Sequence, residues 1–267
     1  MPETALRGPI SFVCPKCKSA LRSTEKALQC SECNRTYPLV GDIPDFISES
    51  SSASIDPSDR GIRFFNILAP IYESWFWQTF FLALNGGAGK TSLQSIAGFM
   101  AETLRDVTGN VLDVACGPAT YARRMVSPDR NIYGIDFSMG MLRQGKNHIT
   151  RDGVSGVHLA RTRVEELPFE NAIFDGAICG GSLHLFPDTM LALREIARTL
   201  KAGAPLAVTT VVAGNSPGAR SMKRHGGHAF ELSELQQYLS ETRFEGFTSK
   251  QDGTFITFAT RKAAPPM

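Results

Sequence analysis

Four of the six cysteines lie in two Cys-x-x-Cys pairs near the start of the 267-residue chain, Cys14 with Cys17 and Cys30 with Cys33. Each pair places two thiolates on one tight turn, and two facing turns make a closed tetrahedral site. Zinc suits four thiolates, and a site closed by protein ligands is structural rather than catalytic. Two disulfides or a redox pair are the alternatives, which the absence of a secretion signal and the paired spacing disfavour. The spacing therefore predicts a zinc site.

A second set of residues lies where predicted strands end. An apolar segment, 111–114, runs into a turn of small residues that includes Gly117. Small residues there let a ligand lie against the backbone where a strand ends and a helix begins. The next apolar segment, 131–136, ends in Asp136, and an acid at that place can accept both ribose hydroxyls. This pattern predicts a nucleotide-binding edge.

His184 follows the fourth predicted strand, close to the same edge, and is the candidate general base. A histidine in this position could take a proton from a hydroxyl, amine or activated carbon. A single histidine near a pocket is also often structural, and that alternative stays open.

Strands that alternate with helices must position these side chains. Apolar segments at 111–114, 131–136, 156–160, 174–179 and 206–212 read as strands. Met190, Leu193, Ala197 and Leu200 recur at helical spacing between the last two, and Ser138 can cap a helix that runs to about Ile149. The alternation predicts an α/β fold with a Rossmann-like, doubly wound sheet.

Composition and linker signals divide the chain. Hydrophobic residues make up 42% and charged residues 20%, and the formal net charge is +2, so no strong field favours nucleic acid. No apolar run reaches membrane-spanning length and the first residues lack a signal-peptide layout, which predicts a cytoplasmic protein. We expect a ribbon domain over 1–47, a serine-rich linker over 48–60 and a second domain over 61–267. Within it, a helical lid segment (61–106) precedes the core (107–267). The aromatic rings of Phe64–Phe81 could pack on the core, cover an apolar substrate or lie at a membrane interface, and the first of these is the expected arrangement.

At this point the motifs resemble a known family. VLDVACGPAT, GIDFSMGMLRQGK, VEELPF, FDGAICGGSLHLFPD and REIARTLKAGAPLAVTT follow one another at normal spacing. Together they resemble the class I S-adenosylmethionine (SAM) methyltransferases, particularly the UbiE-like branch that includes ubiquinone and menaquinone methyltransferases. The resemblance implies a seven-stranded methyltransferase sheet that closes with a helix and an antiparallel strand pair. YPLVGDIPDF, after the second cysteine pair, resembles the tail of zinc ribbons that accompany methyltransferases.

The resemblance implies a role for each matching residue. The turn from Asp113 to Ala119 would hold the methionine part of SAM, and Asp136 would bind the ribose. The adenine would be flanked by Phe137 and Met141, with Arg163 and Val164 at its edge. Gly180 would lie beside the amino group, and Tyr72 would close over the cofactor. The implied cofactor-binding set is Tyr72, Asp113, Ala115, Cys116, Gly117, Ala119, Asp136, Phe137, Met141, Arg163, Val164 and Gly180.

Three departures from the family pattern bear on this set. Ala115 and Ala119 stand where the first motif has glycine. Alanine fits there if φ is negative, so we expect these changes to tighten the pocket rather than close it. Arg163 replaces an acid that often reads the adenine amino group, and its guanidinium could stack on the ring or face solvent.

The leading hypothesis is a SAM-dependent methyltransferase that acts on a small, largely apolar metabolite: a quinone, isoprenoid, aromatic or polyketide-like compound. The aromatic segment and a ribbon without net charge favour it. The first alternative is an rRNA or tRNA base methyltransferase that grips RNA with its ribbon; the Asn/Asp-Pro-Pro-Tyr loop of such enzymes is missing after the fourth strand. The second is a non-catalytic SAM-binding partner protein. The methyl acceptor and the oligomeric state stay open.

Overall fold

A computed structural model describes residues 10–47, 92–214 and 228–265. Three sequence predictions lie outside these residues: the linker at 48–60, the aromatic segment Phe64–Phe81, and Tyr72 with it. They stay predictions. Within the described ranges, no helix is long and apolar enough to cross a membrane.

The N-terminal part is a small antiparallel sheet built around the two cysteine pairs. Its strands are β1 (Leu21–Ser23), β2 (Ala27–Cys30), β3 (Thr36–Val40) and β4 (Ile43–Pro44), paired in that order. Cys14, Tyr37 and Phe46 are buried at its centre. An apolar core this small gives little stability by itself, which is why such folds usually depend on a metal or on docking.

The larger part is a seven-stranded mixed sheet with helices on both faces. Its strands, in chain order, are β5 (Gly109–Val114), β6 (Arg130–Asp136), β7 (Val157–Arg161), β8 (Gly176–Gly180), β9 (Pro205–Val211), β10 (Phe244–Asp252) and β11 (Phe255–Lys262). The order across the sheet is β10-β11-β9-β8-β5-β6-β7. Strands β5 to β9 pair in parallel, whereas β11 runs antiparallel to β9 and β10. This is the Rossmann-like, seven-stranded sheet that the sequence resemblance implies.

The helices that pack on this sheet bury alternate residues of its strands on opposite faces. They are α1 (Leu93–Thr103), α2 (Ala122–Met125), α3 (Met139–Arg151), α4 (Thr189–Thr199) and α5 (Leu232–Glu241). Helices α1, α2 and α3 share one apolar cluster with Val111 of β5, and α4 and α5 share the other with Leu112. Side chains of a strand alternate between faces, so one strand feeds both clusters.

The fold class predicted from the sequence is confirmed, and the five parallel strands begin and end within two residues of their predicted bounds. Ser138 caps α3 as predicted, its Oγ accepting from the N–H of Met141. The predicted helical lid, 61–106, needs refinement, because Ile96, Met100 and Leu104 are buried in the core of the sheet. Helix α1 is therefore part of the core layer, and only 61–91 keeps the lid assignment, outside the described residues.

The ribbon docks on the β7 edge of the large sheet. Asp45 makes a parallel bridge with Arg161, and the N–H of Phe46 donates to the Arg161 carbonyl at 2.8 Å. The ring of Phe12 packs on Phe169 with 5.4 Å between centroids. An exposed edge strand has unpaired backbone groups, and covering it removes that liability. The ribbon thus contacts the large sheet directly, through one backbone bridge and a pair of packed rings.

Candidate functional site

The four cysteines of the ribbon converge on one point. Their sulfur atoms all lie within 4.8 Å of one another, and three of the separations are 3.4, 3.6 and 3.7 Å. A tetrahedral zinc site with Zn–S bonds of about 2.3 Å has sulfur atoms about 3.8 Å apart. All four are free thiols rather than disulfides. The donor set therefore fits zinc, and the disulfide alternative does not fit these separations.

Neighbouring groups lower the pKa of Cys14 and Cys17, whereas the pKa of Cys33 is raised to about 11. Hydrogen bonds from the side chain and backbone of Ser19 lower the pKa of Cys17 to about 6. The Sγ of Cys14 lies 3.2 Å from the buried Tyr37 hydroxyl. A thiolate is the form that binds metal, and donors aimed at sulfur hold it in place.

The second site lies at the carboxyl end of β5, where the chain turns sharply into α2. The N–H of Cys116 donates to the Ile135 carbonyl at 2.9 Å, and the N–H of Gly117 donates to Asp136 Oδ2 at 2.8 Å. A Cβ on Gly145 of α3 would lie 2.9 Å from the carbonyl carbon of Pro118. Only glycine there lets α3 approach the turn this closely. The turn is thus fixed from β6 on one side and from α3 on the other.

The two alanines of the turn adopt a conformation that the sequence analysis did not expect. Ala115 has φ of 53° and Ala119 has φ of 60°, with Gly117 at 55° between them. The expectation of negative φ is therefore wrong. The turn needs the left-handed region at all three positions, and an L-residue there is strained by about 1–2 kcal/mol. The two alanines therefore affect the pocket through backbone strain in the turn, and not only through the volume of their methyl groups.

This strain leads to a stability prediction. We expect Ala115→Gly to raise the free energy of unfolding by up to about 1 kcal/mol, because relief of strain exceeds the entropy that glycine adds to the unfolded chain. Ala192→Gly, inside helix α4, is the matched control and should lower it by about 1 kcal/mol or more. Urea denaturation measures both. A less stable Ala115→Gly variant would show that the turn is not strained.

Two carboxyl groups, Asp113 and Asp136, lie at this turn. Asp136 accepts from the N–H groups of Gly117 at 2.8 Å and Ser138 at 2.7 Å, and burial raises its pKa nonetheless. Asp113 is fully buried, and neither of its oxygens has a hydrogen-bond partner among the described residues. Burial, and then repulsion from Asp136, raises its pKa well above the usual range. Both carboxyls can still accept bonds from a ligand that brings hydroxyl or ammonium donors.

Phe137 and two arginines form a wall next to Asp136. The guanidinium carbon of Arg163 lies 4.8 Å from the centroid of the Phe137 ring, and that of Arg161 lies 5.8 Å away. The Arg163 guanidinium thus lies over the ring of Phe137, while its stacking on adenine stays a prediction. Such a surface suits a flat aromatic base.

Three other residues of the implied set lie around this edge. Met141 and Val164 are buried, and Val164 packs within the core cluster on the α4 face. Gly180 ends β8 against the ring of Tyr121, whose Cε2 lies 2.3 Å from the position of a Cβ at Gly180. Tyr121 was not among the sequence candidates, because nothing in the first motif marks the residue that follows its turn. Only glycine at 180 leaves space for this ring beside the site.

His184 lies in a short 3-10 turn, Leu183–Leu185, behind the same edge. Its ring is buried, and Nδ1 is 3.1 Å from the hydroxyl of Thr210 on β9. Burial lowers its pKa to about 4, so the ring is neutral at pH 7. A neutral imidazole can accept a proton, but this one is enclosed by the core. Its role as general base stays a prediction, and the contacts agree equally with a structural histidine.

The lowered pKa predicts how stability depends on pH. The folded-state pKa of His184 lies below the ordinary value of 6.5, so the unfolded chain takes up this proton first as pH falls. His184 therefore destabilises the fold as pH falls from about 6.5 towards 4. We expect a loss of about 2 kcal/mol between pH 7 and pH 5 relative to His184→Asn, which has a side-chain amide as a hydrogen-bond partner for Thr210 and does not titrate. Thermal melts across this range test it, and parallel curves for the two proteins would contradict it.

Comparison with known proteins agrees with this geometry. Residues 111–203 match the family described as "Methyltransferase domain". The matched segment is about a third of the chain. The match begins in β5, includes Asp136, Phe137 and Gly180, and ends after α4. It thus covers the strands and turns that form the candidate site.

Individual proteins are similar to this chain over different shares of its length. Over 112 residues, the chain is 38% identical to a demethylmenaquinone methyltransferase of Listeria monocytogenes, covering 41% of this chain and 47% of that protein. The chain thus spans about half the length of the Listeria relatives that it matches. It is 25% identical over 233 residues to an uncharacterised chloroplastic methyltransferase of Arabidopsis thaliana, covering 78% of this chain and 64% of that protein.

Among solved structures, the fold is similar to that of SpnF, described as a 4+2-cyclase. The TM-score is 0.63 at 20% identity, and the match covers 78% of this chain and 97% of that chain. A likeness at this identity concerns the fold alone. Because this neighbour is named a cyclase, the fold does not by itself decide which reaction is catalysed.

Proposed function

We propose that the protein is a SAM-dependent methyltransferase. The observation that carries the proposal is the joint placement of Asp113, Asp136 and the strained turn between them. Asp136 is fixed by Gly117 and Ser138 with acceptor capacity left for ribose hydroxyls, and the unpaired Asp113 offers buried acceptors to an ammonium or a water. Phe137 and Arg163 provide a flat surface for a base. SAM contains all three chemical groups.

Bound SAM would supply a methyl group already activated on its sulfonium. Transfer is a direct displacement, so the chain has to align the acceptor and exclude water. Asp136 and the turn from Ala115 to Ala119 would hold the nucleoside and methionine ends. Gly180 ends β8, and the ring of Tyr121 lies against it. These two residues would border the space where the acceptor approaches. His184 would act as a base only if the acceptor has to lose a proton.

We further propose that the methyl acceptor is small and largely apolar: a quinone, isoprenoid, aromatic or polyketide-like compound. The similarity to proteins named demethylmenaquinone methyltransferases supports a quinone-like acceptor. Two lysines of the ribbon are less available to a phosphate backbone, because Lys16 pairs with Glu166 and Lys18 pairs with Glu195 of the core. The ribbon would hold one structural zinc ion and is proposed to stabilise the methyltransferase domain.

A methyl-transfer assay tests the acceptor class. Zinc-loaded protein is incubated with methyl-labelled SAM and either a panel of reduced quinones and phenols or total rRNA and tRNA. We expect label in an organic-extractable product that depends on the small molecule, and background label in RNA. Label in RNA would support the first alternative. Binding of SAM without transfer to any acceptor would favour the non-catalytic partner protein.

A further inference from the structure

The last residues of the ribbon reach the strand that borders the proposed cofactor site. Asp45 bridges to Arg161, the final residue of β7, and the N–H of Phe46 donates to the Arg161 carbonyl. Because β7 pairs in parallel with β6, Arg161 lies directly beside Asp136. The ribbon therefore contacts the sheet at the carboxyl end of β7, beside the carboxyl end of β6 where the candidate site lies.

The Asp45 carboxylate holds a fixed position. Its side chain is almost completely buried, with Oδ1 accepting from the N–H of Ile47 at 3.0 Å and Oδ2 accepting from Arg161 Nη1 at 2.9 Å. A buried charge requires such partners, and loss of one leaves the other uncompensated. The pair thus makes the position of the Arg161 guanidinium depend on the ribbon.

The opposite side of the same guanidinium reaches the proposed adenine wall. Arg161 Nε donates to the Phe137 carbonyl at 2.9 Å, and the guanidinium carbon lies 5.8 Å from the Phe137 ring. Phe137 directly follows Asp136. A planar guanidinium can donate in two fixed directions at once, which a lysine ammonium does not reproduce. Arg161 therefore ties Asp45 of the ribbon to the backbone that carries the ribose acceptor.

We infer that Asp45 is a positioning residue for the cofactor site, which it orders through Arg161 and Phe137. The inference rests on the proposed function. It gives the ribbon a role beyond stability, since the adenosine half of the cofactor would bind against a wall that the ribbon completes. Two ion pairs of the ribbon end elsewhere on the core: Lys16 pairs with Glu166, and Asp42 pairs with Lys146 on α3.

The test compares Asp45→Asn with Lys16→Met, which removes an exposed ribbon–core ion pair elsewhere. Calorimetric titration with S-adenosylhomocysteine gives the Kd and the number of sites, and metal analysis gives the zinc content. We expect Asp45→Asn to raise the Kd about tenfold, within the usual range of coupling between sites, with site number and zinc unchanged. Lys16→Met should stay within about twofold of the wild type. Partial unfolding would instead lower the site number.

A ligand fragment and a second variant make the test specific. 5′-Methylthioadenosine, which lacks the amino-acid end, should lose affinity for Asp45→Asn by the same factor. Arg161→Lys, altered on the core side, should also bind about tenfold more weakly even if Asp45→Asn does not fold. Unchanged Kd values in both variants would overturn the inference while leaving the proposed function intact. Failure of the wild-type protein to bind either ligand would overturn both.

Discussion

Asp136→Asn is expected to raise the Kd for S-adenosylhomocysteine at least about a hundredfold. The carboxylate stands at the end of β6, fixed by the N–H groups of Gly117 and Ser138, with oxygens left for a ribose. Two charge-assisted hydrogen bonds at about 1.5 kcal/mol each account for this factor. The amide also turns an acceptor into a donor, which opposes the N–H groups already aimed at it.

Equilibrium dialysis with labelled S-adenosylhomocysteine measures this effect. Asp129→Asn is the matched control, because Asp129 is exposed just before the opposite end of the same strand. It should bind like the wild type, and thermal melts of both variants monitor folding. Wild-type affinity in a folded Asp136→Asn protein would show that the nucleoside does not bind at this carboxylate.

Cys14→Ser is expected to reduce bound zinc from one ion per chain to nearly none and to unfold the ribbon. Cys14 is fully buried at the centre of the ribbon, where its sulfur contacts the Tyr37 hydroxyl. Structural zinc contributes about 10–16 kcal/mol to the folding of small zinc peptides, far more than this apolar core can replace. Because the ribbon covers the β7 edge, we also expect a lower melting temperature for the whole protein.

Metal analysis by mass spectrometry and thermal melts test the zinc prediction. Cys179→Ser is the control, since Cys179 is an equally buried thiol on β8, remote from the cluster. It should keep one zinc ion per chain. If the purified wild-type protein holds no zinc, or Cys14→Ser retains it, the ribbon is not a four-thiolate zinc site.

The sequence was sufficient for the parts of the fold that depend on local pattern. Apolar runs separated by helical periodicity predicted β5 to β9, because each strand is buried on both faces. The spacing of the cysteine pairs predicted a cluster that the sulfur separations fit. The position of Asp136 at the end of an apolar run predicted that it lies at the carboxyl edge of the sheet. In each case the residues of one short segment are sufficient to predict its local structure.

Two features could not be predicted because they depend on distant contacts or on backbone conformation. Asp45 and Arg161 are 116 residues apart in sequence, and neither is distinguishable from a solvated surface charge until the ribbon is docked. Ala115 has a positive φ, which alanine rarely adopts, so its residue type led to the wrong expectation of a negative φ. It is held by bonds from β6 and packing from α3, which no local pattern reveals.

Calorimetric titration of the zinc-loaded wild-type protein with S-adenosylhomocysteine tests the central claim most directly. The account predicts one site per chain with micromolar affinity, because two carboxyl groups, a strained turn and an aromatic wall converge at the carboxyl ends of the strands. Absence of binding in folded, zinc-loaded protein would contradict the account. It would mean that Ala115, Ala119 and Arg163 have closed the pocket, and that a fold similar to that of methyltransferases serves another function here.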